Sequence, residues 1–111
     1  MNLKEEMYVR TKRGQLGKIT TIGKYNIVVE VNEMWQDIVS KTDIAKEPSF
    51  NIIDLIEEGD YVNGIYVNDF EDGKPFHREE DDYYNVYWEN EDIKSIVTKE
   101  HFDNIAYKIK Q

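Results

Sequence analysis

The densest group of side chains that could do chemistry lies between residues 69 and 82. Its ionisable members include Glu71, Asp72, His77, Glu79, Glu80, Asp81 and Asp82. Carboxylate oxygens suit Ca²⁺, but an EF-hand loop needs ligands that alternate about a central glycine and end in a bidentate glutamate. The segment has neither arrangement. We therefore predict no metal site and a solvated acidic hairpin loop.

Other catalytic chemistry has little support in the residue types. The chain has no cysteine, and His77 and His101 are its only imidazoles, neither with a second histidine at a ligand spacing. The few serines do not lie in a nucleophile elbow, and the glycines form no phosphate-binding pattern. We predict a protein that is not an enzyme and needs no cofactor.

The charge is distributed unevenly along the 111 residues, whose net charge is −9. Residues 1–24 carry six basic and two acidic side chains, whereas residues 47–93 carry fifteen acidic and two basic ones. An acidic middle repels nucleic acid and attracts a basic protein surface. The alternative is that the acidity serves solubility alone.

Alternating apolar residues predict β-strands, and the alternation defines which face is buried. We expect a core made of Tyr25, Ile27, Val29, Val31, Val86 and Trp88. We expect Tyr84 to face inward as well and Tyr87 to face outward. Solvent should reach Asn26, Glu30, Asn85 and Glu89. Thr98 is placed to cap a single helical turn, and residues 105–109 form a predicted closing strand.

Short internal matches suggest a duplication. Residues 84–89 match 25–30, residues 92–95 match 37–40, and residues 61–62 match 8–9. Between the copies, residues 51–64 are predicted to form strand, turn, strand and turn. We predict an all-β protein of two SH3-like small barrel units, 1–50 and 51–111, packed as one domain with single helical turns only.

Exposed aromatic residues could stack a planar ligand on such a barrel. The candidates are Trp35, Tyr66, Tyr83 and Tyr87, and burial in the core is the alternative, above all for tryptophan. Residues 1–6 lack the apolar segment of a signal peptide, and no apolar run reaches transmembrane length. A cytoplasmic protein without a membrane partner is expected.

Two segments, 51–64 and 91–102, resemble sequences that recur in small uncharacterised proteins of phages and prophages of Gram-positive, low-GC bacteria. The resemblance covers about half of the chain and implies a mobile-element origin. Some acidic proteins of this size in such elements inhibit host defence, anti-CRISPR proteins among them. The resemblance carries no functional residues that can be transferred to this chain.

These observations predict an acidic protein that inhibits a host defence protein by stoichiometric binding. The target would be a basic surface, for example on a nucleic-acid-guided nuclease, in the cytoplasm of the host cell. The predicted contacts are Glu71, Asp72, Glu79, Glu80, Asp81 and Asp82. Alternatives are a protein that sequesters a nucleotide-like signal between aromatic residues and the basic N-terminal strands, or a structural or replication accessory protein. Self-association stays open.

Overall fold

The computed structural model describes residues 2–32, 34–79 and 85–101, where short antiparallel strands dominate. The strands are β1 (Tyr8–Arg10), β2 (Leu16–Ile22), β3 (Asn26–Asn32), β4 (Trp35–Ser40), β5 (Tyr61–Val62), β6 (Ile65–Tyr66), β7 (Asp69–Glu71), β8 (Lys74–His77), β9 (Val86–Tyr87) and β10 (Ile96–Val97). Three 3₁₀ turns are η1 (Lys41–Asp43), η2 (Ile52–Leu55) and η3 (Asn90–Asp92), and residues 99–101 are helical. The all-β prediction is confirmed for these ranges.

The first four strands form one sheet in the order β1-β2-β3-β4. A register shift between Ile19 and Thr21 bends β2, as a β-bulge does. One face of the sheet carries a core of buried residues, namely Val9, Ile19, Ile27, Val29, Val39 and Ile44. In β1, Arg10 lies on the opposite face from Val9, because successive side chains of a strand point to opposite sides.

Strand β4 is an edge of this sheet in the part of the chain that the structure describes. Lys41 donates its N–H to the carbonyl of Tyr25, which fixes the alternation of hydrogen-bonded pairs along β3 and β4. By that alternation the N–H of Ile38 points away from β3. The carboxylate of Asp37 accepts this N–H at 2.8 Å. The outward donor is therefore satisfied by the preceding side chain.

The remaining strands form two three-stranded sheets, in the orders β10-β5-β6 and β7-β8-β9. Asn63 and Gly64 join β5 to β6 with φ values of 52° and 81°. Two consecutive positive φ values are what a two-residue hairpin turn requires, and Asn-Gly supplies them at low cost. A second buried core lies here, made of Ile56, Val62, Val67 and Trp88.

The SH3-like barrel and the duplication find no support in the described residues. The three sheets do not close into a barrel. Residues 37–40 lie in β4. Of the matching residues, Asp92 ends η3, and residues 93–95 have no regular structure. The two apolar cores draw on residues before 50 and after 51 respectively, but the proposed division into two units stays a prediction.

Three local predictions are wrong. Residues 52–55 form the 3₁₀ turn η2 and not a strand, since a short apolar run is compatible with either. Tyr25 is 71% exposed because it precedes β3 and lies in the turn. Val31 is 36% exposed, because a register shift between Glu30 and Asn32 interrupts the alternation near the end of the hairpin.

The other core predictions are largely confirmed. Ile27, Val29 and Trp88 are buried, and Val86 is partly buried against the second core. Asn26, Glu30, Tyr87 and Glu89 are exposed, whereas Asn85 is only half-exposed. Tyr84 and residues 105–109 lie outside the described residues.

Residues 98–101 bear out the predicted cap, because Thr98 Oγ1 accepts the N–H of His101 at 3.2 Å. None of the helical turns in the described part of the chain has the length and apolar character needed to cross a bilayer.

Candidate functional site, an acidic and aromatic surface

The predicted acidic loop begins as a regular hairpin. Asp72 and Gly73 connect β7 to β8 with φ values of 52° and 78°, the turn for which Asp-Gly is suited. Pro75 and Phe76 of β8 are fully buried, and β9 pairs with the other side of β8. The hairpin is thus fixed to the rest of the protein by its apolar residues. The acidic residues Glu71 and Asp72 therefore lie on a regular hairpin and its turn.

Three acidic residues lie at the turn end of this sheet. Glu71 pairs in register with Lys74, and the Lys74 ammonium lies 3.5 Å from the carboxylate of Glu89 on the other side. Asp72 is exposed in the adjoining turn. One lysine thus accompanies three acidic residues at this end of the sheet, and the local charge stays negative. The sequence predicted Glu71 and Asp72 as contacts but missed Glu89, which follows β9 and joins them only through strand pairing.

An exposed tyrosine borders these carboxylates. The hydroxyl of Tyr87 lies 3.5 Å from Glu71 Oε2, and the ring is 57% exposed. Its ring stacks on buried Phe76 with centroids 5.1 Å apart and an interplanar angle of 9°. An aromatic face beside carboxylates can bind a lysine or arginine side chain through both charge and cation–π attraction. We call Glu71, Asp72, Tyr87 and Glu89 the acidic surface.

The far end of β8 carries a different arrangement. The His77 ring lies 2.9 Å from Glu79 through Nε2 and 2.8 Å from the carbonyl of Tyr66 through Nδ1. Its hydrogen bond with Glu79, followed by that with Tyr66, raises the pKa of His77. Since each strand residue adds about 3.3 Å, His77 lies roughly 10 Å along β8 from Lys74. Glu79 is therefore not part of the acidic surface.

Three of the predicted contacts, Glu80, Asp81 and Asp82, lie outside the described residues. Among the residues the structure describes, no three histidine, aspartate or glutamate side chains converge in a way that could hold a metal ion. The absence of a metal site in the acidic segment stays a prediction.

The aromatic candidates do not meet in one place. Trp35 begins β4 in the first sheet and is 57% exposed, next to the almost fully exposed Met34. Tyr66 ends β6 in another sheet, and its ring contacts Tyr61 edge-on at 5.3 Å. Tyr83 lies outside the described residues. Of the described candidates, Tyr87 alone borders the predicted acidic residues.

The sequence also missed a buried ionic network between the first sheet and the later elements. Arg10 is fully buried and donates to both oxygens of Asp60, at 2.5 and 2.8 Å. It also donates to Glu100 at 2.6 Å and to the carbonyl of Leu55 at 3.0 Å. Its Nε lies 3.1 Å from Glu57, although without hydrogen-bond alignment. These contacts join residues that are 45 to 90 positions apart.

Asp60 is the centre of this network. Besides the guanidinium of Arg10, the fully buried carboxylate accepts the backbone N–H groups of Glu57 and Lys99, at 2.8 and 2.9 Å. Burial lowers the pKa of Arg10, but hydrogen bonding and charge from Asp60, Glu100 and Glu57 together outweigh it and leave that pKa raised. A hydrogen bond to Glu57 likewise raises the pKa of Lys99. Among the described residues, Arg10 Nε is the one buried side-chain nitrogen or oxygen without a hydrogen bond, and it lies beside the carboxylate of Glu57. The rest of the network is hydrogen-bonded, which is typical of a structural element.

Comparisons with known protein families, with curated proteins and with solved structures give no match for this chain. Its function must therefore be inferred from the geometry of its own side chains.

Proposed function

We propose that the protein acts by stoichiometric binding, with the acidic surface docking on a basic surface of a host protein. The observation that supports this most directly is the position of Tyr87, whose exposed ring lies beside Glu71. Carboxylates alone would serve solubility as well as binding. A tyrosine that adds apolar area and a cation–π face is a feature of protein interfaces.

The proposed target is a defence protein of the host cell, and its nucleic-acid-binding surface is the type of basic site that an acidic protein can occupy. This identification rests on the resemblance of residues 51–64 and 91–102 to phage and prophage proteins. The site of action would be the cytoplasm of the host. No catalytic step is part of the proposal, because binding alone blocks a nucleic-acid channel.

Long-range attraction determines how such a complex should form. Complementary charge mainly accelerates encounter, and added salt weakens that acceleration. The test therefore uses the immobilised protein to capture partners from a host lysate, with mass spectrometry to identify them. The association rate of a captured protein is then measured at two ionic strengths.

A matched pair of variants separates the acidic surface from overall charge. The triple variant Glu71→Gln, Asp72→Asn, Glu89→Gln removes three charges from the acidic surface. The control replaces three exposed glutamates elsewhere, Glu5, Glu47 and Glu58, by glutamine. Both variants have the same net charge. We expect the first to associate several-fold more slowly with a flatter salt dependence, and the control to resemble the unchanged protein.

Equal association rates for the two variants at both ionic strengths would refute the proposal. A further variant, Glu79→Gln, Glu80→Gln, Asp81→Asn, Asp82→Asn, tests the remaining predicted contacts in the same assay. Slower association in this variant alone would move the interface to residues 79–82.

A further inference from the structure

A groove of about 730 Å³ runs between the first sheet and the segment that contains β10. At one end its walls touch, because Thr98 Oγ1 donates to the carbonyl of Gly14 at 2.6 Å. A Cβ atom on Gly14 would lie 2.4 Å from that Oγ1, so only glycine permits this approach. The volume is within the range of about 300–1,000 Å³ that is usual for small-molecule sites.

Cationic side chains from separate parts of the chain line this groove. They are Arg13 in the turn after β1, Lys18 in β2 and Lys94 before β10, and the imidazole of His101 also lines the groove. This concentration is notable in a protein with 23 acidic and 14 basic residues. The groove is therefore opposite in charge to the acidic surface, which lies on another sheet.

These cations have few anionic partners. Among the described residues, no carboxylate lies within ion-pair distance of Arg13 or Lys94, and the Lys94 ammonium contacts only the carbonyl of Glu91, at 3.3 Å. Lys18 lies 3.8 Å from exposed Glu6 and 5.3 Å from the centre of the Tyr8 ring. Arg13 and Lys94 therefore place in the groove positive charge that no ion pair with a described residue compensates.

Two carboxylates also line the groove, and one of them is already engaged. Asp37 accepts hydrogen bonds from Gln15 Nε2 at 3.2 Å and from the N–H of Ile38 at 2.8 Å. Glu30 lies opposite Lys18 in the strand pair. Three cationic side chains against two carboxylates leave the lining with a net positive charge, and Arg13 and Lys94 form no ion pair with a described residue.

The rest of the lining is apolar and aromatic. Aliphatic side chains come from both walls, and the half-buried ring of Tyr8 joins them; the aliphatic residues are Leu16, Val31, Ile52, Ile93, Ile96 and Val97. Such a surface binds the apolar or planar part of a ligand, while the cations bind its charged part. A simple inorganic anion would leave these contacts unused.

The network around Arg10 fixes the two walls of the groove relative to each other. Arg10 of β1 donates directly to Glu100, and it also donates to Asp60, which accepts the N–H of Lys99, so both contacts connect the segment after β10 to the first sheet. Thr98 and Gly14 add a third connection. A preformed site avoids the entropic cost of ordering its walls when a ligand binds.

We propose that this groove binds a small organic phosphate with a planar or apolar body, such as a nucleotide. Arg13 and Lys94 hold the phosphate from the two walls, and the aliphatic side chains and Tyr8 contact the body. The proposal is independent of the acidic surface, which shares no residue with the groove. It gives the protein a second binding activity.

The test is a titration followed by NMR of the ¹⁵N-labelled full chain. The probes are AMP, GMP, CMP and UMP, with adenosine and inorganic phosphate as partial ligands. We expect a nucleotide to shift the amide signals of residues 13–18 and 94–98, and to bind more tightly than adenosine or phosphate. Equal affinity for phosphate alone would refute a role for the apolar lining.

Variants that remove cationic side chains test whether the nucleotide binds in the groove. In Arg13→Gln, Lys94→Gln we expect nucleotide affinity to fall roughly tenfold for each lost charge-assisted contact. The control Lys4→Gln, Lys24→Gln removes two exposed cations outside the groove and should leave affinity unchanged. Circular dichroism checks that both variants fold. Equal affinity in both variants, or no groove shift at millimolar nucleotide, would overturn the proposal. So would preferential binding of a glutamate-rich peptide there.

Discussion

Replacement of Arg10 by methionine should destabilise the protein far more than removal of any exposed charge. The side chain is fully buried, and its guanidinium contacts Asp60, Glu100, Glu57 and the carbonyl of Leu55. Methionine can fill much of the space of the stem. It cannot neutralise the carboxylate of Asp60, which is fully buried as well.

The magnitude follows from what remains after the change. Asp60 keeps its two backbone donors, at 2.8 and 2.9 Å, but loses both hydrogen bonds and the charge of Arg10. Removing one partner of a buried ion pair costs about 3–5 kcal/mol. Domains of this kind have about 5–15 kcal/mol of stability in total, so a large part of it should disappear.

Urea unfolding measures this loss. Trp88 is 4% exposed in the second core, whereas Trp35 is 57% exposed, so a Trp35→Phe background makes fluorescence report on the core. The matched control is Arg78→Met, which removes an exposed ion pair with Asp69 at 2.9 Å and should cost far less.

A double variant provides the decisive comparison. In Arg10→Met, Asp60→Leu, no buried charge is left without a partner, so the loss should be smaller than the sum of the single losses. If Arg10→Met costs no more than Arg78→Met, or if the two changes at positions 10 and 60 simply add, the network does not stabilise the fold as we describe.

Two further predictions concern the second half of the chain. Trp88→Ala should lower the free energy of unfolding by about 3–5 kcal/mol because it empties a core position, whereas Trp35→Ala should change it little; similar urea midpoints for the two variants would contradict the core assignment. For His77, the raised pKa in the folded state means that its protonated form stabilises the fold below the ordinary pKa of about 6.5, and that this contribution is lost as pH rises through the raised value. An NMR titration of the imidazole should show the pKa returning toward its ordinary value in Glu79→Gln, and an unchanged titration would exclude the hydrogen bond as the cause.

Local signals in the sequence predicted much of the first sheet. The turn residues and the alternation of Ile27 and Val29 determine a strand and its buried face, since one register alone places both inside. The same rule failed at Val31, because a register shift is not encoded in alternation. The strand predicted at residues 52–55 was also wrong, because length and apolarity do not separate a 3₁₀ turn from a short strand.

Only part of the candidate site was predicted, because local signals in the sequence do not report contacts between distant segments. Asp72 and Gly73 signal a hairpin, and acidic side chains next to a turn are exposed. The approach of Glu89 to Lys74 depends on how β9 pairs with β8, which is a contact between distant segments. Arg10 was missed because a charged residue in an alternating strand normally faces solvent, and its partner Asp60 lies 50 residues away.

The outward N–H of Ile38 affects how readily copies of this chain pair with one another at high concentration. An edge strand with unsatisfied donors templates the addition of another chain, and repeated addition leads to polymerisation. In β4 the carboxylate of Asp37 already occupies the donor of Ile38, and its charge repels the same residue on an incoming copy. The margin of the sheet at β4, where Trp35 and Ile38 are exposed to solvent, is therefore less suited to pairing with another copy at this position.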